Sequence, residues 1–208
     1  IVLSDDNFAS IVAAVHEGRT VYDNIRKVVA WTLPTNGGEA LAIVVALLLG
    51  MTLPMTPVQI LWINMVLTVT LGLALAFEPP EPGVMARRPR RADAALVSPV
   101  MLWRIVLVSL LFTAGAFGMF AWSLLVRGQD VATARTLVVN AICVMEIFYL
   151  FSVRYLHMTS FTLAGARGTP AVLWAVGVVV AAQLAFTYAR SCTAGSTPGR
   201  WLGWTVYW

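Results

Sequence analysis

The sequence reads as an all-α, polytopic bundle of transmembrane helices, and three observations lead there. Of its 208 residues 59% are apolar and only 12% are charged, against roughly 25% charged residues in ordinary soluble domains. Mean hydropathy is +0.80. The charges gather in clusters separated by uncharged runs of about 20 residues, the length a helix needs to cross roughly 30 Å of hydrocarbon. This composition argues against a soluble enzyme. The net charge of +4 is carried by arginine in all but one of the basic residues, and its clustering speaks for membrane orientation, with no nucleic-acid partner. Cys143 and Cys192 stand alone, without the spacing of a zinc site or a disulfide framework.

Five spans follow in order. The chain opens on IVLSDD, without an initiator Met or signal peptide, and reads as a piece of something larger. Ser4, Asp5 and Asp6 can cap a helix that carries Phe8, Ile11, Val12, Val15, Tyr22 and Ile25 largely at helical spacing. That helix is expected to enter the membrane as a stalk over residues 1–27. The first span covers residues 28–50, interrupted only by Glu39, and the second covers 57–77. Pro54 and Pro57 make the break between them a tight turn, so the two form a hairpin. The third span covers 105–126, the fourth 136–153 with Glu146 inside, and the fifth 169–188. Lengths fit helices, and no alternating pattern indicates a barrel.

Loop charges give the orientation. Arg19, Arg26 and Lys27 precede the first span, Arg87, Arg88, Arg90, Arg91 and Arg104 lie between the second and third, and Arg154 and Arg167 lie between the fourth and fifth. The opposite side holds Arg127, Arg135, Arg190 and Arg200. The positive-inside rule therefore puts the N-terminus in the cytoplasm of a multi-pass protein, with the lipid bilayer as its partner.

Two carboxylates fall near mid-membrane: Glu39 is the midpoint of the first span, and Glu146 is close to the midpoint of the fourth. A charge there costs at least about 2.5–3.5 kcal/mol, so such residues usually face a bundle interior and mark an ion or substrate path. Structural glue, a protonated Glu hydrogen-bonded to a neighbouring helix, is the alternative. Asn36 stands three residues before Glu39, and Asn64 and Thr68 are spaced i, i+4 on the second span. Together they make a candidate oxygen-rich cage of the kind hard cations take, with no imidazole and only Cys143 as a thiol in the span cores. The PTNGG run at 34–38 is open to two readings: a weakened segment whose carbonyls are free to coordinate, or a simple proline kink. Gly115, Gly118, Ala114 and Ala121 give the third span a small-residue face for close helix packing. Trp201, Trp204, Tyr207 and Trp208 form an aromatic cluster of the interfacial kind. The arginines at 87–91 are explained by topology, with anionic lipid or a cytoplasmic domain as the other reading. No Walker A motif, metalloprotease helix or activated nucleophile occurs.

The order of segments carries a resemblance. Residues 3–19 read LSDDNFASIVAAVHEGR and 22–27 read YDNIRK; NGGE follows at 36–39, PVQILWIN at 57–64, and AFEPPE at 76–81 with Met85 and Arg88-Pro89 beyond. In these runs the chain resembles the C-terminal membrane half of P-type cation-transporting ATPases, closest to calcium-pump-like bacterial members, over residues 1–188. The resemblance implies that residues 1–27 are the end of a phosphorylation domain and its stalk, that 28–188 are the fifth to ninth helices of a ten-helix pump, and that 189–208 are a divergent, truncated or frameshifted tail.

The resemblance further implies that Asn36, Glu39, Asn64 and Glu146 match cation-coordinating positions, with Thr68 as a helper. Calcium pumps carry a Thr-Asp pair after the sixth-helix Asn, whereas this chain reads NMVLT from Asn64 to Thr68, a hydroxyl in place of the central carboxylate. With fewer charges, the cargo implied is one calcium or another hard cation, with Mn2+, Na+, K+ or protons as alternatives. The copper and zinc branch is disfavoured because no span contains Cys-Pro-Cys. The phosphorylated Asp, the actuator and nucleotide domains and the first four helices are implied partners outside this chain, so ATP and Mg2+ act only in the full-length pump of the cell membrane, and the chain alone is not active. A secondary cation or proton-coupled transporter would also place carboxylates at mid-membrane, but shows hydropathy repeats that are absent here. An inactive structural membrane fragment is the third reading.

Overall fold

The computed structural model describes residues 7–89, 96–154 and 169–194, with side chains described through residue 188. The expected cap at residues 4–6, the arginines Arg90, Arg91, Arg167 and Arg200, the side chain of Arg190 and the terminal aromatic cluster lie outside the described residues. Among the described residues every regular element is helical. Helix α1 is Phe8–Leu48, α2 Pro57–Ala76, α3 Pro99–Val126, α4 Val131–Val153 and α5 Pro170–Ala194, and each is long and apolar enough to cross a membrane. Two contain π-helical turns: Asn64–Thr68 inside α2 and Trp122–Val126 at the end of α3.

Stalk and first span are one helix. At 1.5 Å per residue the 41 residues of α1 extend about 60 Å, twice the hydrocarbon thickness. The cap seen at its start is Asn7, whose side chain accepts from the Ala9 amide at 3.0 Å. Its end is a Schellman turn: Gly50, at φ +62°, donates to Leu47 O, and Met51 donates to Ala46 O. Thr56 and Gln59 then form a capping box around Pro57, which starts α2. Helices α3 and α4 begin six and five residues before the uncharged runs do, at Ser98 and Asp130 caps. Each absorbs an arginine by giving it a partner: Arg104 donates to Ser152 Oγ at 2.8 Å, and Arg135 donates to Leu53 O at 3.0 Å.

The packing of α1 is governed by its proline. Pro34 brings no N–H, so the Ala30 carbonyl loses its usual i+4 donor, and lipid offers no replacement. Tyr149 of α4 supplies one, its hydroxyl donating to Ala30 O at 2.9 Å. One turn on, Ser109 donates to Pro34 O at 3.0 Å, and another turn on Thr113 donates to Gly38 O at 3.1 Å. The 34–38 run therefore stays helical, and these carbonyls are directed at α3 and α4 rather than left free for coordination. Their approach needs the small stripe Ala30, Pro34, Gly38, Ala42 and Ala46, all buried at i, i+4 spacing. A Cβ on Gly38 would lie 2.5 Å from Phe112 Cβ, and one on Gly37 2.5 Å from Ser109 Oγ. The tight small-residue face is thus on α1. Of the four small residues Ala114, Gly115, Gly118 and Ala121 on α3, only Gly115 packs closely, against Met145, while the other three are exposed.

Apart from Glu39 and Glu146, the described charged side chains sort to the two ends of the bundle. At the stalk end the loop after α2 folds back on α1: Asn24 donates to Ala76 O and Glu78 O, and Arg19 to Val84 O and Arg87 O. Lys27 pairs with Glu81 at 3.6 Å, Arg87 with Asp23 at 2.6 Å, and Arg154 with Glu78 at 2.9 Å. Lys27, Glu81, Glu78 and Arg154 are all nearly inaccessible. Arg127 and Arg135 lie at the other end, Arg127 over the Trp122 ring.

Four outcomes are expected. Tyr149→Phe should lower stability in detergent unfolding by about 1–2 kcal/mol. In a Pro34→Ala background the loss should fall to roughly half or less, since the alanine brings back the backbone amide that closes onto Ala30 O. Arg154→Ala, which leaves Glu78 buried without its counter-charge, should cost about 3–5 kcal/mol in the same assay. At Asp130, hydrogen bonds from the Thr133 side chain and amide hold the carboxyl below its ordinary value. Because the folded value is the depressed one, the cap is at full strength above the ordinary carboxylate range and weakens as pH falls through the folded value. Protection of the Ala132 and Thr133 amides, taken relative to their intrinsic exchange rates, should fall over that acid window in the native chain and stay flat in Asp130→Asn.

Candidate functional site

Each charge inside an apolar run must be placed by its helix, and α1 and α4 bring theirs together. Glu39 on α1 is 3% exposed and Glu146 on α4 2% exposed, and the two carboxylates lie close enough for their charges to interact. Trp31, fully buried two turns below Glu39, donates its indole N–H to the Glu146 carbonyl at 3.2 Å and fixes the register of α4 against α1. Tyr149, three residues beyond Glu146, makes the second tie through Ala30.

The third member comes from α2. Asn64 opens the π-helical turn, and its amide nitrogen donates to Glu39 Oε2 at 2.7 Å and to Ile60 O at 3.1 Å. A π turn inside an α-helix commonly marks a functional position, because it re-aims side chains at the expense of regular pairing. Thr68 closes the same turn and is half-buried. Asn36 is placed differently: it lies about 60° around α1 from Glu39 at 100° per residue, on the exposed side with Leu33, Val44 and Leu47. The fold therefore joins Glu39, Asn64 and Glu146, keeps Thr68 on the same turn as Asn64, and leaves Asn36 on the open face of α1.

Two buried oxygens in this group lack a hydrogen-bond partner, Glu39 Oε1 and Glu146 Oε2. Buried carboxylate oxygens are nearly always satisfied, so a pair of orphans on neighbouring helices is a feature that demands a ligand or a proton. Among the described residues no three or more His, Cys, Asp or Glu side chains converge as a metal cluster. The side chains joined here are two carboxylates and an amide, hard oxygens of the kind Ca2+ or Na+ takes rather than thiophilic metals.

A second polar group inside the bundle is absent from the sequence reading. Gln183 of α5 accepts from the Trp62 indole at 3.1 Å and donates to Asn140 Oδ1 at 2.7 Å, and Thr187 donates to the same oxygen at 3.0 Å. Trp62 stacks on Phe186 with ring centroids 4.7 Å apart. These contacts dock α5 on α2 and α4 with all-neutral groups. Amides in apolar runs, the signal that draws attention to Asn64, would also have found Asn140 and Gln183.

The chain is similar to known proteins over most of its length. The family described as "Cation transporting ATPase, C-terminus" matches residues 52–207. The chain is 47% identical over 188 residues to the "Probable cation-transporting ATPase F" of Mycobacterium tuberculosis, covering 90% of the chain and 21% of that relative. It is 38% identical over 213 residues to the cation-transporting ATPase pma1 of Synechocystis, covering 99% of the chain and 23% of the relative. To the calcium-transporting ATPase of Bacillus subtilis it is 32% identical over 212 residues, covering 97% and 23%. The chain thus spans between a fifth and a quarter of the length of these relatives.

Proposed function

Because the chain belongs to the family of cation-transporting ATPase C-termini, we propose that it supplies part of the ion cage of an ATP-driven P-type pump, in which one hard cation, Ca2+ foremost, is held between Glu39 and Glu146. The observation that carries this reading is the pair of orphaned carboxylate oxygens on packed helices. Glu39 and Glu146 are the charged ligands, Asn64 a neutral one and Thr68 a helper. Two carboxylates neutralise one divalent ion, and a hydroxyl at Thr68 adds no third charge, which favours a single divalent site over two. Asn64 gives its N–H to Glu39, and a half-turn of the amide would offer the ion its Oδ1 instead. Asn36 contributes from the open face of α1, where the first four helices of the pump complete the cage.

Energy reaches the cage through α1. Phosphorylation, nucleotide binding and the actuator belong to the remainder of the pump, where ATP and Mg2+ act. The unbroken helix from Phe8 to Leu48 carries a tilt of the stalk to Glu39 as a rigid rod, while the loop clamped to it by Arg19, Asn24 and Lys27 moves with it. The π turn of α2 is where Asn64 can change partners. The N-terminus lies in the cytoplasm of the cell, and ion release is to the opposite side.

The test is ATP-dependent phosphoenzyme formation by the full-length pump carrying this chain, titrated with Ca2+, Mn2+, Na+ and K+. One cation should trigger phosphorylation, and Glu39→Gln and Glu146→Gln should each weaken its apparent affinity by about tenfold or more, roughly 1.4 kcal/mol per decade. Unchanged cation dependence in both variants would remove the carboxylates from the cage.

A further inference from the structure

A cleft of about 540 Å³ opens at the stalk end between α1 and the turn around Val84, and its wall is lined by Gly18, Arg19, Tyr22, Arg26, Arg87 and Arg88. Four guanidinium groups line it with one carboxylate, Asp23, and Arg87 is taken up by Asp23 at 2.6 Å and by Glu81 at 3.4 Å. Arg19 holds three carbonyl oxygens, which orient it without cancelling its charge. Arg26 and Arg88 pair with no carboxylate among the described residues, and the buried Arg26 Nε has no hydrogen-bond partner. The cleft is thus positively charged and partly unsatisfied, with planar donors suited to an oxyanion.

Its floor and its depth narrow the ligand. Val15 and Val84 give the cleft apolar wall, and Arg26 lies two residues before the apolar stretch of α1 begins at Val28, the level of lipid headgroups. Gly18 adds a second mark. A glycine inside a helix weakens it, and a Cβ at Gly18 would meet nothing within 4 Å, so no close helix contact requires it, unlike Gly37 and Gly38. It lines the cleft with bare backbone.

We propose that this cleft binds one phosphate group, with Arg26 and Arg88 as its charge partners and Arg19 as its fixed wall, and that its depth suits the headgroup of an anionic phospholipid, with free phosphate as the other source of the same chemistry. The site is separate from the cage at Glu39 and Glu146 and does not depend on which ion that cage takes.

Native mass spectrometry of the detergent-solubilised protein that carries this chain, with added phosphatidylglycerol or phosphatidylcholine and with or without millimolar inorganic phosphate, tests it. Wild type should retain one phosphatidylglycerol about tenfold more strongly than phosphatidylcholine. Arg26→Gln/Arg88→Gln should lose that molecule, Gly18→Phe should lose it with every charge in place, and Arg127→Gln at the other end of the bundle should keep it. Circular dichroism melting confirms that each variant is folded. Retention that survives inorganic phosphate names lipid as the source, whereas an inorganic phosphate adduct that both cleft variants abolish names the free ion. Equal binding of both lipids, no phosphate adduct, or retention unchanged in both cleft variants overturns the proposal.

Discussion

A proline in the middle of a membrane helix leaves a carbonyl that lipid cannot satisfy, and much of this bundle is arranged around that one deficit. Tyr149 answers Ala30, and Ser109 and Thr113 answer the two turns above it, so α3 and α4 are drawn onto the same stripe of α1. The stripe has to be small for hydroxyls to reach backbone, which is why Gly37 and Gly38 follow the proline. The same contacts bring Glu146 to the side of Glu39. One packing arrangement therefore satisfies the backbone and sets Glu146 beside Glu39.

Within that arrangement the two charges are held unequally. Glu39 shares an oxygen with the Asn64 amide, while Glu146 is anchored through its main chain, by Trp31, with its carboxylate oxygen Oε2 unbonded. Backbone anchoring fixes where Glu146 stands and leaves its side chain able to choose a partner. Asn64 stands on a turn whose regular pairing is already broken, so re-aiming it disturbs little else. The group thus combines a rigid frame with two adjustable oxygen donors.

Much of this is legible from residue order. Five spans are plain because apolar length is a strong signal, and Glu39 and Glu146 are plain because a charge in such a run is expensive. The ends of α3 and α4 are not, since counting uncharged residues stops at Arg104 and Arg135, whereas the fold keeps both by giving them Ser152 and Leu53 as partners. Asn36 and Glu39 share a face only coarsely, and which side of α1 is covered depends on neighbours the local pattern does not contain. The small residues of α3 look like the contact surface because composition alone does not say which helix approaches which. Pairings such as Lys27 with Glu81 span a long loop, and nothing in the local pattern of either residue announces the other.

The ion pair of Arg154 with Glu78 also sets an order of events during synthesis. Glu78 leaves the ribosome 76 residues before its partner, so α1 and α2 can insert as a hairpin while that carboxylate still faces water. Only when α3 and α4 have been threaded does the guanidinium arrive and neutralise Glu78. The buried pair is thus a late fastening: Arg19, Asn24 and Lys27 can hold the loop on α1 from the start, whereas Glu78 gains its counter-charge only with α4.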